Sequence, residues 1–316
     1  MSINKDIQLG LCCLNIELRE KKPTIFSSRR VTLKTLELKG IDNLKEKIIN
    51  NLKDVLKLMD WNEKNGIKVF RLSSEIFSHY SNSKAEDYTL DFAKDLLKEI
   101  GLKSKQLNQR LTFHPGQWNC LGSPHEDVIK HTIKDLEYHA DLLDLMELDQ
   151  NSVMVIHGGG VYNDKEKTLD RWCSNYLKLP ENIKKRLVLE NCEKNFSIID
   201  CIKVSLRVNI PIVFDTHHFD CYIKLHPLEK FETASCYIAT ILDTWELRNI
   251  KPKFHVSEQG SGKIGHHSDY IEIIPDYLLE IPKKYKVKID IMIEAKMKEK
   301  SIMKLYEKYP FLNCKI

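Results

Sequence analysis

RLTFH (110–114), VMVIH (153–157), RLVLE (186–190) and IPIVFD (210–215) share one pattern: each is a short, largely apolar or β-branched run that ends in a histidine or a carboxylate. A run that is apolar on both faces fits a strand buried on both sides, as in a parallel sheet covered by helices. Moving outward along the chain, the same pattern recurs before these four in IQLGLCCLN (7–15) and IKVFRLS (67–73). It recurs after them in PKFHV (252–256) and KIDIMIE (288–294). Amphipathic helical patterns fill the gaps. Residues 50–66 place Leu52, Val55, Leu56 and Met59 on one stripe and stop at Gly66. Residues 125–146 align Ile129, Ile133, Leu136, Ala140 and Leu143, and 195–209 reads likewise. Eight such strand–helix units, at about forty residues each, predict a single (β/α)8 TIM barrel over 1–316, with its active site at the C-terminal mouth of the strands. An open doubly wound sheet is the alternative, but no GxGxxG or P-loop follows any run. Residues 16–49, including KPTIFSSRRVT (22–32), are expected to form a loop insertion on the active-site face, and 300–316 a helical tail.

Composition narrows the class. The chain has 316 residues, 42% hydrophobic and 30% charged, enough for a sizeable core. No run approaches the length of a membrane span, and the first twenty residues lack the apolar core of a secretion signal. Nine cysteines without a CxxC pair fit free thiols in a reducing compartment, so an intracellular location is expected: cytoplasm, nucleus in a eukaryote, or a virus-infected cell. The net charge of +4 is compatible with a polyanionic partner without requiring one.

The strand ends carry the chemistry. His114, His157, Glu190, Asp215, His255 and Glu294 each fall at or near the C-terminal end of a predicted strand, and a parallel barrel points all those ends at one mouth. His218 follows in VFDTHH, and His267 or His266 in the glycine-rich QGSGKIGHHSD. Imidazole and carboxylate donors in this mixture suit zinc, manganese or iron. Seven or eight ligands exceed the needs of one ion, so a cluster of two or three is expected, with Glu190 as a bridge; such clusters hydrolyse phosphodiesters. His79, His125, His131, His139 and His226 read as helix-surface or loop residues. Cys120 and Cys192 read as small buried groups. Lys253 shares a strand face with His255, which sets an ammonium beside cations unless it is neutralised, paired or covalently modified. In HPGQWN (114–119), Pro115 and Gly116 make a tight turn that offers Gln117 and Trp118 outward, a polar plane and an aromatic ring suited to a base stack. Arg29, Arg30 and Lys263 are candidates for phosphate contact, and KKYKVK (283–288) carries little weight.

The motifs LGLCCLN, FRLSSE, TFHPGQW, VIHGGG, VLENCE, FDTHHFD, PKFHVSEQ and IMIEAKMKE, in this order from about residue 7 to 300, resemble the UV-damage endonuclease family. The resemblance implies a TIM barrel related to endonuclease IV, with a cluster of three divalent ions. Manganese is the first expectation, and zinc, magnesium or cobalt are alternatives. It implies nicking of damaged double-stranded DNA immediately 5′ to pyrimidine dimers and (6-4) photoproducts, leaving 3′-OH and 5′-phosphate ends. Carried onto this chain, the metal ligands are His114, His157, Glu190, Asp215, His218, His255, His267 and Glu294, with Lys253 as a further ligand when carboxylated. Glu190, Lys253 and Glu294 then form the catalytic group, Gln117 and Trp118 probe the helix at the lesion, and Asn15 lies near the lesion pocket. Trp118 stands where the family often has tyrosine, and Leu11 where an aromatic is expected. A monomer is expected. Rival readings are an abasic-site endonuclease on the same barrel, a metal-dependent sugar isomerase or epimerase, and a non-catalytic damage binder.

Overall fold

The computed structural model describes residues 6–82, 85 and 88–315. Eight parallel strands line the barrel: β1 (Ile7–Cys12), β2 (Val69–Arg71), β3 (Arg110–Thr112), β4 (Met154–His157), β5 (Leu187–Glu190), β6 (Ile212–Asp215), β7 (Lys253–Val256) and β8 (Ile289–Ile293). Hydrogen bonding orders them β3-β2-β1-β8-β7-β6-β5-β4. A parallel bridge between Phe113 and Met154 joins β3 to β4 and completes the ring. All eight runs expected from the sequence are therefore strands, and consecutive strands neighbour each other as a TIM barrel requires.

The helices in chain order are α1 (Ile16–Glu20), α2 (Leu33–Lys64), α3 (Lys94–Leu107), α4 (Glu126–Leu145), α5 (Lys165–Leu177) and α6 (Glu181–Lys184). They continue with α7 (Ile198–Val208), α8 (Thr216–Leu225), α9 (Ala234–Glu246), α10 (Asp276–Leu279), α11 (Ile281–Tyr285) and α12 (Lys298–Lys308). One boundary differs from expectation. Residues 16–49 are not one loop: α2 starts at Leu33, capped by the Thr32 side chain, and is interrupted by Gly40 at φ 72°. Glycine takes that left-handed conformation at little cost, so the helix breaks there and resumes. The expected helical segment at the C-terminal end is present. α12 starts at Lys298, buries Ile302, Leu305 and Tyr306, and donates Tyr306 Oη to Gly66 O.

The pleat sorts side chains by parity. Leu9, Leu11, Phe70, Leu189, Phe214 and Phe254 belong to the large buried core shared with the helices, whereas Cys12, Val69 and Met292 form a separate cluster inside the barrel. The interior is packed: a Cβ on Gly10 would come within 2.8 Å of Met292 Cε. Toward the N-terminal end, Asp290 is buried and paired with Arg110 and Lys251. With that end filled, the polar strand ends at the opposite mouth form the accessible bowl.

Candidate metal centre and DNA-facing loops

Glu190 sits at the middle of the mouth, 1% exposed, at the end of β5. Its Oε2 lies 2.9 Å from His114 Nε2 and 3.9 Å from His157 Nε2, and its Oε1 lies 2.9 Å from His255 Nδ1 and 3.4 Å from His218 Nδ1. One carboxylate thus faces imidazoles from the β3, β4, β6 and β7 ends. Glu294, after β8, faces His255 at 3.2 Å and His267 at 4.0 Å. Asp215, fully buried at the end of β6, caps α8 through the His218 amide (2.8 Å) and faces the His218 ring at 3.9 Å. Three groups have donor atoms within 4.8 Å of one another: His114, Glu190 and His255; His157, Glu190 and His218; Asp215, His255 and Glu294. The structure brings seven of the expected ligands into these groups and sets His267 beside them.

The members of the two adjacent histidine pairs face different ways. His218 meets Glu190, while His217 turns to Cys221 Sγ at 3.5 Å. His267 faces Glu294, while His266 packs by Gly262.

The electrostatics are those of a cation site. Three carboxylates converge at the mouth, where Arg71 is bonded to Glu294. Burial pushes the Asp215 carboxyl up to about 7, helped by the charges of Glu190 and Glu294. Burial holds His157 and His255 down at about 4, so both imidazoles are neutral at physiological pH. His157 Nδ1 and His255 Nε2 are buried without hydrogen-bond partners. Buried carboxylates gathered with imidazoles that face them are unfavourable without a cation and natural with one. The residues present therefore fit divalent metal.

Lys253 lies one layer below. It is fully buried, and its Nζ donates to Thr112 Oγ1 at 3.2 Å. β7 and β3 are separated by three strands in the sheet, so this bond crosses the barrel interior. Burial, with Arg71 and Arg110 nearby, lowers its amine to about 7. The alternative of a carboxylate-paired lysine is not what the structure contains: among the described residues Lys253 has no ion pair.

Gln117 and Trp118 are both exposed, Trp118 by 52%. The indole lies over Gly116, where a Cβ would come within 2.3 Å of the ring. The pair splays. Gln117 borders a cavity of about 180 Å³ shared with His157, and Trp118 one of about 330 Å³ shared with residues 74–82.

Several expected residues fall elsewhere. Asn15 is 1% exposed and its Oδ1 caps α1 by accepting from Leu18 N (2.8 Å). Arg29 is tied to Asp54 (2.6 Å) and to Thr24 O, so it is not free for phosphate. Arg30 pairs with Glu75 at 3.5 Å but stays exposed. KKYKVK precedes β8 and so lies at the end of the barrel opposite the mouth. His139 is a core residue of α4, 1% exposed, not a surface one.

Two residues escaped the sequence reading of roles. Arg71, in FRLSSE, holds Glu294; its placement inside the barrel follows from the parity it shares with Val69. Asn191, in VLENCE, accepts from Asp215 N (2.9 Å), donates to Asp215 O (3.0 Å), and its own carbonyl faces His218 Nδ1 at 3.1 Å. It fixes two expected ligands from behind, as supporting partners of metal ligands do.

Comparison with known proteins agrees with this geometry. The model of the family UV-endonuclease UvdE matches residues 7–314. A protein of Acanthamoeba polyphaga mimivirus, provisionally named a UV-damage endonuclease, is 43% identical over 96% of this chain and 91% of its own length. The UV-damage endonuclease of Schizosaccharomyces pombe is 36% identical over 97% of this chain, which spans about half (51%) of that longer protein. The crystal structure of SacUVDE superposes with a TM-score of 0.81 at 30% identity, covering 97% of this chain and 100% of the other. Endonuclease IV from Thermus thermophilus (TM-score 0.56, 13% identity, 96% of this chain and 98% of that one) shares the fold. With its family model matched almost end to end and its barrel superposed on SacUVDE, the chain belongs to the UV-endonuclease UvdE family.

Proposed function

We propose that this protein is a metal-dependent DNA repair endonuclease that nicks the phosphodiester immediately 5′ to cyclobutane pyrimidine dimers and (6-4) photoproducts, leaving 3′-OH and 5′-phosphate ends. The observation that carries the reading is Glu190, a buried carboxylate faced by four imidazoles from different strand ends, in a chain whose family acts on UV-damaged DNA.

A cluster of three divalent ions, manganese first, would be held by His114, His157, Glu190, Asp215, His218, His255, His267 and Glu294, with a carboxylated Lys253 as a further ligand. Such ions supply a water nucleophile at neutral pH and positive charge at the phosphate and leaving oxygen. The chain's own residues prepare the site. Asn191 fixes Asp215 and His218, and Arg71 fixes Glu294. Burial keeps His157 and His255 unprotonated, so no proton must leave before they bind. Gln117 and Trp118 fill the gap left by the extruded lesion. A dimer stacks poorly, so its extrusion costs less than that of normal bases, and this supplies part of the selectivity. Exposed Lys263 is available for backbone contact, and binding weakens with salt.

The test is incubation with Mn²⁺ of matched duplexes carrying one thymine dimer, one abasic site or no damage. Nicking confined to the dimer duplex and abolished by EDTA supports the reading. Nicking confined to the abasic duplex replaces it with the abasic-site alternative.

A further inference from the structure

The HPGQWN turn is held from beneath by a buried polar chain that the metal centre does not use. Asn119 is 2% exposed. Its backbone N–H closes the turn on Gly116 O at 3.1 Å, and its Nδ2 donates to Gly116 O (2.9 Å) and to Asp135 Oδ2 (2.8 Å). Both partners are acceptors, so the amide orientation is fixed. Asp135, 3% exposed on α4, accepts from Ser81 Oγ through its other oxygen at 2.8 Å. Ser81 lies in the segment after β2, which lines the same cavity of about 330 Å³ as Trp118. One carboxylate thus joins the aromatic turn to the neighbouring loop. Its side-chain oxygens are held by an amide and a hydroxyl, with the His139 ring 3.7 Å away, and removing either donor leaves a buried carboxylate oxygen short of a partner.

We infer that Asn119 and Asp135 are positioning residues for damage discrimination. They set the attitude of Gln117 and Trp118, and Ser81 ties that attitude to the β2 loop. None of the three touches the metal centre. The inference rests on damaged DNA being the substrate.

The test compares Asn119→Ala, Asp135→Asn and Ser81→Ala with the unsubstituted protein. It reads kcat and KM on dimer-bearing and undamaged duplexes, together with acrylamide quenching of Trp118, taken by difference from Trp118→Phe. For Asn119→Ala, the damaged-to-undamaged ratio of kcat/KM should fall about tenfold, the scale of one hydrogen bond to a carboxylate. The loss should lie in KM for the damaged duplex, with quenching of Trp118 increased. In a Gln117→Ala/Trp118→Ala background, Asn119→Ala should add nothing to the loss of discrimination, because it acts through that pair. Additive losses, or an unchanged ratio with unchanged quenching, overturn the inference. If Asn119→Ala fails to fold, Ser81→Ala decides by the same readouts. If the unsubstituted protein does not nick the dimer duplex, the functional reading fails, and the quenching arm still decides whether this chain positions Trp118.

Discussion

Lys253 and His255 stand two residues apart on β7 and reach across the barrel at two depths, Lys253 to Thr112 of β3 at 3.2 Å and His255 to Glu190 of β5 at 2.9 Å. The lower residue is an amine with a hydroxyl partner; the upper is an imidazole between two carboxylates. A full positive charge at the lower position would sit near Arg71 and Arg110, so the position favours an uncharged amine or a carboxylate made from it.

Lys253→Ala should lower nicking by about a hundredfold, comparable to the loss of one preorganised active-site group. NMR of the protein in ¹³C-bicarbonate should show a carbamate signal that the variant lacks. Full activity of the variant removes Lys253 from the site.

Glu190→Gln keeps the shape of the side chain and removes its charge. Metal affinity should drop by at least about a hundredfold, since even supporting partners of ligands cost 10–100-fold. Nicking should be lost with it, while binding to dimer-bearing duplex persists. Calorimetric titration with Mn²⁺ checks the first outcome and a band shift in EDTA the second. Normal metal uptake contradicts the central place given to Glu190.

Arg71→Met leaves Glu294 without its guanidinium partner. The carboxylate then competes less well for its position, and Mn²⁺ affinity should fall about 10–100-fold, as for other supporting groups. Equal affinity in titration of the variant would make Arg71 a packing residue.

His139 supplies a pH dependence away from the bowl. Burial holds its folded pKa below the ordinary 6.5. The unfolded chain therefore binds the proton more readily. The contribution to stability is full above about pH 6.5 and is lost as pH falls toward the folded value. In EDTA, the urea midpoint of the unsubstituted protein should drop more steeply between pH 7 and pH 5 than that of His139→Asn. The difference is about 1 kcal/mol for each unit of pKa depression realised in that window. Parallel slopes contradict this role.

The barrel was legible because a strand buried on both faces leaves a continuous apolar run, and the runs ending at His157, Glu190 and Asp215 end where their strands do. The candidate ligands were legible for the same reason: the mouth gathers whatever polar residue ends each run. What stayed hidden depends on contacts between distant segments. Gly40 and the polar stretch around it masked the start of α2, and only packing of Leu36 and Leu44 shows that the helix begins at Leu33. The use of Asn15 as a cap, of Arg29 as a partner of Asp54, and of His139 as a core residue depends on neighbours that periodicity does not name.

The most direct measurement maps the cut. An end-labelled duplex with a single thymine dimer is incubated with the protein and Mn²⁺, and the product is sized against a ladder. The account predicts one metal-dependent break at the phosphodiester immediately 5′ to the dimer, with a 3′-OH that a polymerase extends. A break elsewhere, or an intact strand from protein shown to have bound metal, would contradict it.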